Sequence, residues 1–290
     1  MLLQFLQQLV NGITIGMIYT LMAVGLTVIF GILRIGNFAQ GEFYMLGAFV
    51  ALYMVSSLFM NYLLSILMAL VCVALLGILM ERLAIRPLQG RPHAALIVST
   101  IGASIFLENI ALILFGATPK TLPSPYARAQ VVFWGIHLTE QRILILLMSV
   151  IIIVALHFFI KKTKTGMAMR AVAKDADTAA LMGINVNRIY AYAFAIGGGL
   201  AAVAGALLGA IFVVAPNMGN LMVIKAFVVL ILGGMGYVPG AVFAGILLGI
   251  TESLGAGFIS TEYKDVIGYG IMLVVLLFRP EGLFGKVGLK

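Results

Sequence analysis

The 290-residue sequence is 63% hydrophobic and only 10% charged, whereas soluble domains carry about a quarter charged residues. That composition excludes a water-soluble core and fits helices whose sides meet hydrocarbon, each crossing needing about 20 mainly apolar residues. The net charge of +8 is carried by short segments between apolar runs, a topological pattern and not a nucleic-acid footprint.

Apolar runs of helix length fall at about 9–32, 43–60, 62–80, 94–116, 142–160, 189–213, 222–236, 239–256 and 265–278. They predict an all-α, polytopic transmembrane bundle of eight or nine spans, forming one domain over 1–290. The N-terminal MLLQFLQQLVNG lacks the basic start and cleavage site of a signal peptide, so the first run is expected to be retained. The first region is interrupted by RIGNFAQGEF, with Arg34, Asn37, Gln40 and Glu42. In a bilayer such a stretch is a loop or broken backbone lining a cavity. Cys72 is the one cysteine, which leaves no disulfide framework or thiolate cluster.

Arg82, Arg86 and Arg91 mark a first basic loop, and Lys161, Lys162, Lys164, Arg170, Lys174 and Arg188 a second. Arg279 and Lys286 put the C-terminus on the same side, cytoplasmic by the positive-inside rule. Between the two loops, Glu108 with Thr100 and Ser104 makes an i, i+4, i+8 polar stripe. An intramembrane carboxylate is a functional candidate by default, and the stripe is expected to face the bundle interior; a buried carboxyl satisfied by a neighbouring helix is the other reading. The Pro-rich segment Gly116 to Gln141, with Trp134, reads as an external loop.

The segment TKTGMAMRAVAKDADTAALMGINVNR is the main polar stretch. Met169, Val172, Ala173, Ala176 and Ala180 follow helical spacing. Asp175 or Asp177 is placed to cap a short helix ending at Gly183. Such a shallow amphipathic element suits docking into a partner's groove or is a solvated connection. Beyond it, Ala193, Gly197, Ala201, Gly205 and Gly209, then Ala241, Gly245, Gly249, Ser253 and Gly257, repeat small residues every fourth position, a face for close helix packing within the bundle or between subunits. Lys225 is expected to snorkel to the interface, and Glu252 and Glu262 to lie near the outer ends. No phosphate-loop motif occurs, and His93, His137 and His157 are far apart with no metal-ligand spacing. A membrane enzyme is therefore not expected, and no metal is assigned.

From Phe5 to RPEGLFG the chain resembles the LivH-type integral-membrane permeases of branched-chain amino acid ABC importers. The resemblance is carried by NGITIGMIYTLMAVGLTVIFGILRIGNFAQGEFYMLGAF, ERLAIRPL, LIVSTIGASIFLEN, TGMAMRAVAKDADTAALMGINVNRIYAYAFAIGGGLAAVAGALLG and KAFVVLILGGMGYVPGAVFAGILLGITESL with STEYKD. It implies an inner-membrane subunit that pairs with a second, related permease, two cytoplasmic ATPase subunits and an extracytoplasmic binding protein. Leucine, isoleucine or valine would be the cargo, and ATP and Mg would bind the ATPase partners and not this chain. It makes 161–188 the cytoplasmic coupling loop, with Arg170, Ala173, Asp175, Asp177, Ala179, Ala180 and Gly183 in the coupling element. Asn37, Gln40, Glu42 and Glu108 are the candidates for the substrate path, and Gly197, Gly205, Gly209, Gly245 and Gly249 for helix packing. An ion-coupled secondary transporter, a channel, and a related permease for amides or urea are the competing readings.

Overall fold

The computed structural model describes residues 2–127, 129–133 and 136–285, with side chains at 132, 133 and 136 excepted. Trp134 and Lys286 lie outside the described residues. The nine apolar runs correspond to α1 (Leu2–Leu33), α2 (Gln40–Ser56), α3 (Tyr62–Met80), α4 (His93–Phe115), α5 (Glu140–Lys162), α8 (Val186–Gly209), α9 (Met218–Gly233), α10 (Val238–Phe258) and α11 (Lys264–Phe278). Two shorter helices, α6 (Lys164–Lys174) and α7 (Ala176–Leu181), occupy the polar segment before α8. Among the described residues, six helices are long and apolar enough to cross a membrane, namely α1, α3 with its extension to Leu88, α4, α5, α8 and α10. At 17 and 16 residues, α2 and α9 are shorter, as discontinuous helices are.

The centre of the bundle is α1, whose residues from Met17 to Ile29 are buried on every side. A helix that is apolar all round can be enclosed in this way without stranding polar groups. Here α10 and α8 enclose it, α8 also carries α2 and α3, and α9 closes against α1, α2 and α10. Glycine makes these approaches possible. A Cβ on Gly16 would stand 2.8 Å from the Gly245 carbonyl oxygen and 2.9 Å from Ile246 Cα. On Gly12 it would stand 2.7 Å from Ile250 Cα. Without a hydrophobic drive between helices in lipid, such contact is what holds them together. Gly197 meets Gly25 and Ile29 of α1, Gly205 meets the Tyr44 carbonyl of α2, Gly209 meets Val214 and Ala48, and Gly245 and Gly249 meet Thr20, Gly12 and Gly16 of α1. The small-residue faces of α8 and α10 are thus occupied by helices of the same chain.

Towards the periphery, α4 and α5 present apolar side chains outward, among them Ile105, Phe106, Ile113, Leu147, Ile151 and Val154. The expected external loop contains a hairpin that periodicity did not reveal, β1 (Gln130–Phe133) against β2 (Ile136–Thr139), with Gln130 opposite Thr139. This loop is anchored to the chain after α8: Lys120 and Val214 pair their backbones, and the buried Gln141 side chain donates to the Tyr62 hydroxyl and the Leu207 carbonyl. At the other end of the bundle, Arg91 and Leu33 line one groove with Asp177 and Asn187, and Arg34 lines another with Ala173, Gly236, Pro280 and Glu281. The basic segments and the residues after α11 therefore gather at one end.

Candidate translocation path and docking element

The polar interruption after α1 is broken backbone. Arg34 adopts a φ of 57°, after which the chain is irregular as far as Asn37 and turns at Phe38 and Ala39 before α2 starts at Gln40. Asn37 and Gln40 are completely buried, and they hold the break together instead of lining an open cavity. Asn37 Oδ1 accepts the Ala39 amide at 3.2 Å, and Gln40 Nε2 donates to the Gly197 carbonyl at 2.9 Å, in the middle of α8. Because Gly197 lies half way along α8, α2 begins deep in the bundle. This unwound backbone is tolerated because protein surrounds it and satisfies its polar groups.

The next polar residue, Glu42, is 1% exposed. Its Oε1 accepts a hydrogen bond from Ser104 Oγ at 3.1 Å, while Oε2 is buried without a partner among the described residues. The stripe on α4 faces this region: Thr100 is buried, donates to the Ile97 carbonyl of its own helix at 2.8 Å and accepts the Phe38 amide at 3.4 Å. Glu108 is half-buried and accepts from Asn220 of α9 at 3.3 Å. The expected interior-facing stripe thus becomes progressively more open along α4, from buried Thr100 to Glu108 at the edge. A polar seam runs across α2, α4 and α9, and aromatic pairs border it, Phe38 with Phe227 at 4.9 Å and Phe49 stacked on Phe115 at 4.4 Å.

Lys225 corrects the expectation of snorkelling. Its side chain is 1% exposed and lies inside the bundle, paired with Glu252 of α10 and with Asp265 of α11 at 2.7 Å. The ammonium also sits 4.9 Å above the Tyr269 ring, and Tyr19 donates its hydroxyl to Glu252 at 2.8 Å. Glu252, expected near an outer end, is buried. A lysine without acidic neighbours would snorkel; here two carboxylates and two tyrosines make burial the better state. Sequence separation hid this cluster, since its members come from four helices.

At the basic end, the amphipathic segment is two helices and not one. Asp175 terminates α6 and caps α7: its Oδ1 accepts the amides of Asp177 at 3.0 Å and Thr178 at 3.1 Å, and its Oδ2 accepts the Thr178 hydroxyl at 2.7 Å. These bonds, led by the Thr178 hydroxyl, hold the Asp175 carboxyl below its ordinary range. Helix α7 closes on Gly183 at a φ of 85°, with the Ile184 amide returning to the Ala179 carbonyl at 3.1 Å. That six-to-one bond is the signature of a Schellman stop, which favours glycine in the left-handed position. Ala179 is buried against the bundle and Ala173 is half-buried, so the outward surface is built from Asp177, Ala180, Leu181 and Met182. Leu181 and Met182 are 88% and 80% exposed, a pair that periodicity passed over because it read α6 and α7 as one wheel. Arg170 is exposed and donates to the Lys161 carbonyl at 3.3 Å. A groove of about 550 Å³ between α6 and α7 is lined by Met167, Ala168, Ala171, Met182 and Ile184.

Comparison with known proteins is consistent with this architecture. Residues 8–276 match the family described as branched-chain amino acid transport system / permease component. The chain is 39% identical to the high-affinity branched-chain amino acid transport system permease protein BraD of Pseudomonas aeruginosa, covering 97% of this chain and 96% of that protein. It is 38% identical to the permease protein LivH of Escherichia coli, covering 98% and 96%. The structure of PsaBC from Streptococcus pneumoniae in complex with Fab superposes with a TM-score of 0.50 at 14% identity, covering 97% of this chain and 94% of that one, a likeness of fold. The buried helical bundle, the broken backbone before α2 and the family match over nearly the whole length agree: this chain belongs to the permease components of branched-chain amino acid transport systems.

Proposed function

We propose that this chain is the membrane-spanning permease subunit of an ATP-driven importer that carries leucine, isoleucine and valine across the cytoplasmic membrane. The observation that carries the reading is α7. A six-residue helix with a cap at one end, a glycine stop at the other and two exposed apolar residues at its tip is built to insert into a partner's groove. The partner is an ATPase pair, which binds ATP and Mg; this chain has no phosphate loop and performs no hydrolysis itself. ATP binding draws the ATPases together and moves α6 and α7, and the bundle alternates between its two sides, receiving cargo from an extracytoplasmic binding protein. The basic end and the C-terminus face the cytoplasm in this arrangement, since short basic loops are retained there.

A second permease, related to this one, covers the face between α4 and α9. Support comes from Asn109 and Asn220, exposed amides on an otherwise apolar surface, where lipid would leave them poorly solvated. The path then follows the seam of Glu42, Ser104, Glu108 and Asn220, with Asn37 and Gln40 fixing the start of α2 beside it.

The test is reconstitution of the full complex in proteoliposomes with Asp177→Arg and Gly183→Pro in this chain. Both substitutions are expected to abolish leucine uptake and binding-protein-stimulated ATP hydrolysis while membrane insertion is retained. Normal uptake and stimulation in both would defeat the docking assignment. Uptake that collapses with the ion gradient at constant ATP would favour an ion-coupled transporter instead, and import of amides or urea in place of leucine would reassign the cargo.

A further inference from the structure

The polar seam holds two acidic side chains on facing helices and no cation to match them. Glu42 Oε2 is buried and makes no hydrogen bond among the described residues. Glu108 stands one turn beyond Ser104 on the same face of α4, and Ser104 is the residue that binds Glu42 Oε1. The ion pairs among the described residues both belong to Lys225, in the cluster with Glu252 and Asp265. Neither Glu42 nor Glu108 therefore has a basic partner, although an ionised carboxylate at bilayer depth is costly unless something pairs with it. A buried polar atom left unpaired in a native structure points to a missing partner.

The chemistry of the seam narrows what that partner is. Two carboxylates, one hydroxyl and one amide offer six oxygens at most, and two of these, Glu42 Oε1 and Glu108 Oε1, already accept from Ser104 and Asn220, which leaves fewer than the six to eight that calcium takes. An alkylammonium needs only about three acceptors, is monovalent, and carries its own apolar body. Phe38 tilted against Phe227 and Phe49 stacked on Phe115 place aromatic pairs along the same elements, apolar surface of the kind an amphiphilic cation requires.

We propose that Glu42 and Glu108 together recognise the α-ammonium group of the cargo as it passes between α2, α4 and α9. The assignment rests on the importer reading above and deepens it. It makes this permease selective in its own right for primary amines over neutral solutes, because an amide or urea brings N–H donors but no positive charge to balance the two carboxylates. Sites built to bond a charged group reject analogues that lack it far more strongly than apolar pockets reject a missing methyl.

The experiment uses the complete complex in proteoliposomes and reads labelled L-leucine uptake per ATP hydrolysed for wild type, Glu42→Gln, Glu108→Gln and Glu42→Asp. Glu42→Gln and Glu108→Gln are expected to lower uptake per ATP by about ten- to a hundredfold, the usual effect of losing one charged hydrogen bond. Glu42→Asp, which keeps the charge, is expected to recover part of the loss. Wild-type uptake per ATP in both glutamine variants would overturn the proposal. Should Glu42→Gln fail to assemble, Glu108→Gln decides alone, since Glu108 lies at the edge of the bundle and its replacement leaves the interior intact. A wild-type complex that imports no leucine would instead refute the importer reading, before any variant is compared.

Discussion

Replacing Lys225 by methionine tests whether the buried cluster is a unit. The side chain is 1% exposed and its ammonium serves Glu252 and Asp265 at once. Lys225→Met keeps most of the volume and removes the charge. Glu252 would then keep only the Tyr19 hydroxyl, leaving an uncompensated carboxylate inside the bundle. Breaking a buried pair from one side costs about 3–5 kcal/mol, while replacing both partners by apolar or neutral groups is often close to neutral. The single variants Lys225→Met and Glu252→Gln and the double variant should therefore be compared by thermal denaturation of the purified, detergent-solubilised protein. Lys225→Met should be the least stable, because it strands two acids. The double variant should recover most of the loss, because Asp265 is one-third exposed and is solvated by water. A Lys225→Met protein as stable as wild type, or a double variant whose loss equals the sum of the singles, would refute the reasoning.

Gly16→Leu, which drives a side chain into the Gly245 carbonyl, should cost at least about 1–3 kcal/mol and reduce the yield of folded protein. Gly102→Leu is the matched control, since nothing stands within 4 Å of its Cβ position; fluorescence-detected size exclusion should separate the two. Gly183→Ala should destabilise α7 by about 1–2 kcal/mol from backbone conformation alone, without a steric clash, and hydrogen exchange of the Ile184 amide should report it. Asp175→Ala removes the cap shared with Thr178, and amide exchange over residues 176–181 should accelerate. The depressed Asp175 pKa fixes the sign of the pH effect: the cap is fully present above the ordinary carboxyl value of 3.8 and is lost as pH falls through the lower folded value. Exchange in α7 that rises between pH 7 and 5 would contradict this.

The helical runs were legible because bilayer-crossing segments announce themselves by length and composition, and the glycine faces of α8 and α10 by four-residue spacing. Their partners were less legible. Gly12 and Gly16 sit in an ordinary apolar run, and only the packed structure sets them against Gly249 and Gly245. The break at Asn37 and Gln40 was readable as a polar interruption, but periodicity carries no depth, so it could not separate residues that hold the break from residues that line a path. Glu108 was picked out by the cost of charge in lipid, and Glu42 only as part of the polar interruption. The same rule, applied to Lys225 alone, pointed to the interface because Glu252 and Asp265 lie 27 and 40 residues away. In the soluble segment, the cap at Asp175 and the stop at Gly183 were legible from residue type, while which of Asp175 and Asp177 caps α7 was settled only by the hydrogen bonds of Asp175.

The seam between α1 and α10 limits how this molecule can move. At Gly12 and Gly16 the backbones of α1 and α10 meet directly, and around them Thr20 and Ser253 bond across the seam to Val242 and Gln8, so the two helices are tied as a single beam. Because α6 packs on α1, a push delivered to α6 and α7, as the importer reading requires, would reach that beam. Flexure is left to the short joints at each end of α2 and between α9 and α10, where Arg34, Gly234 and Gly236 already adopt positive φ. The permease is in this sense a lever with its pivots written into the backbone, and stiffening a joint should slow its stroke without loosening the bundle.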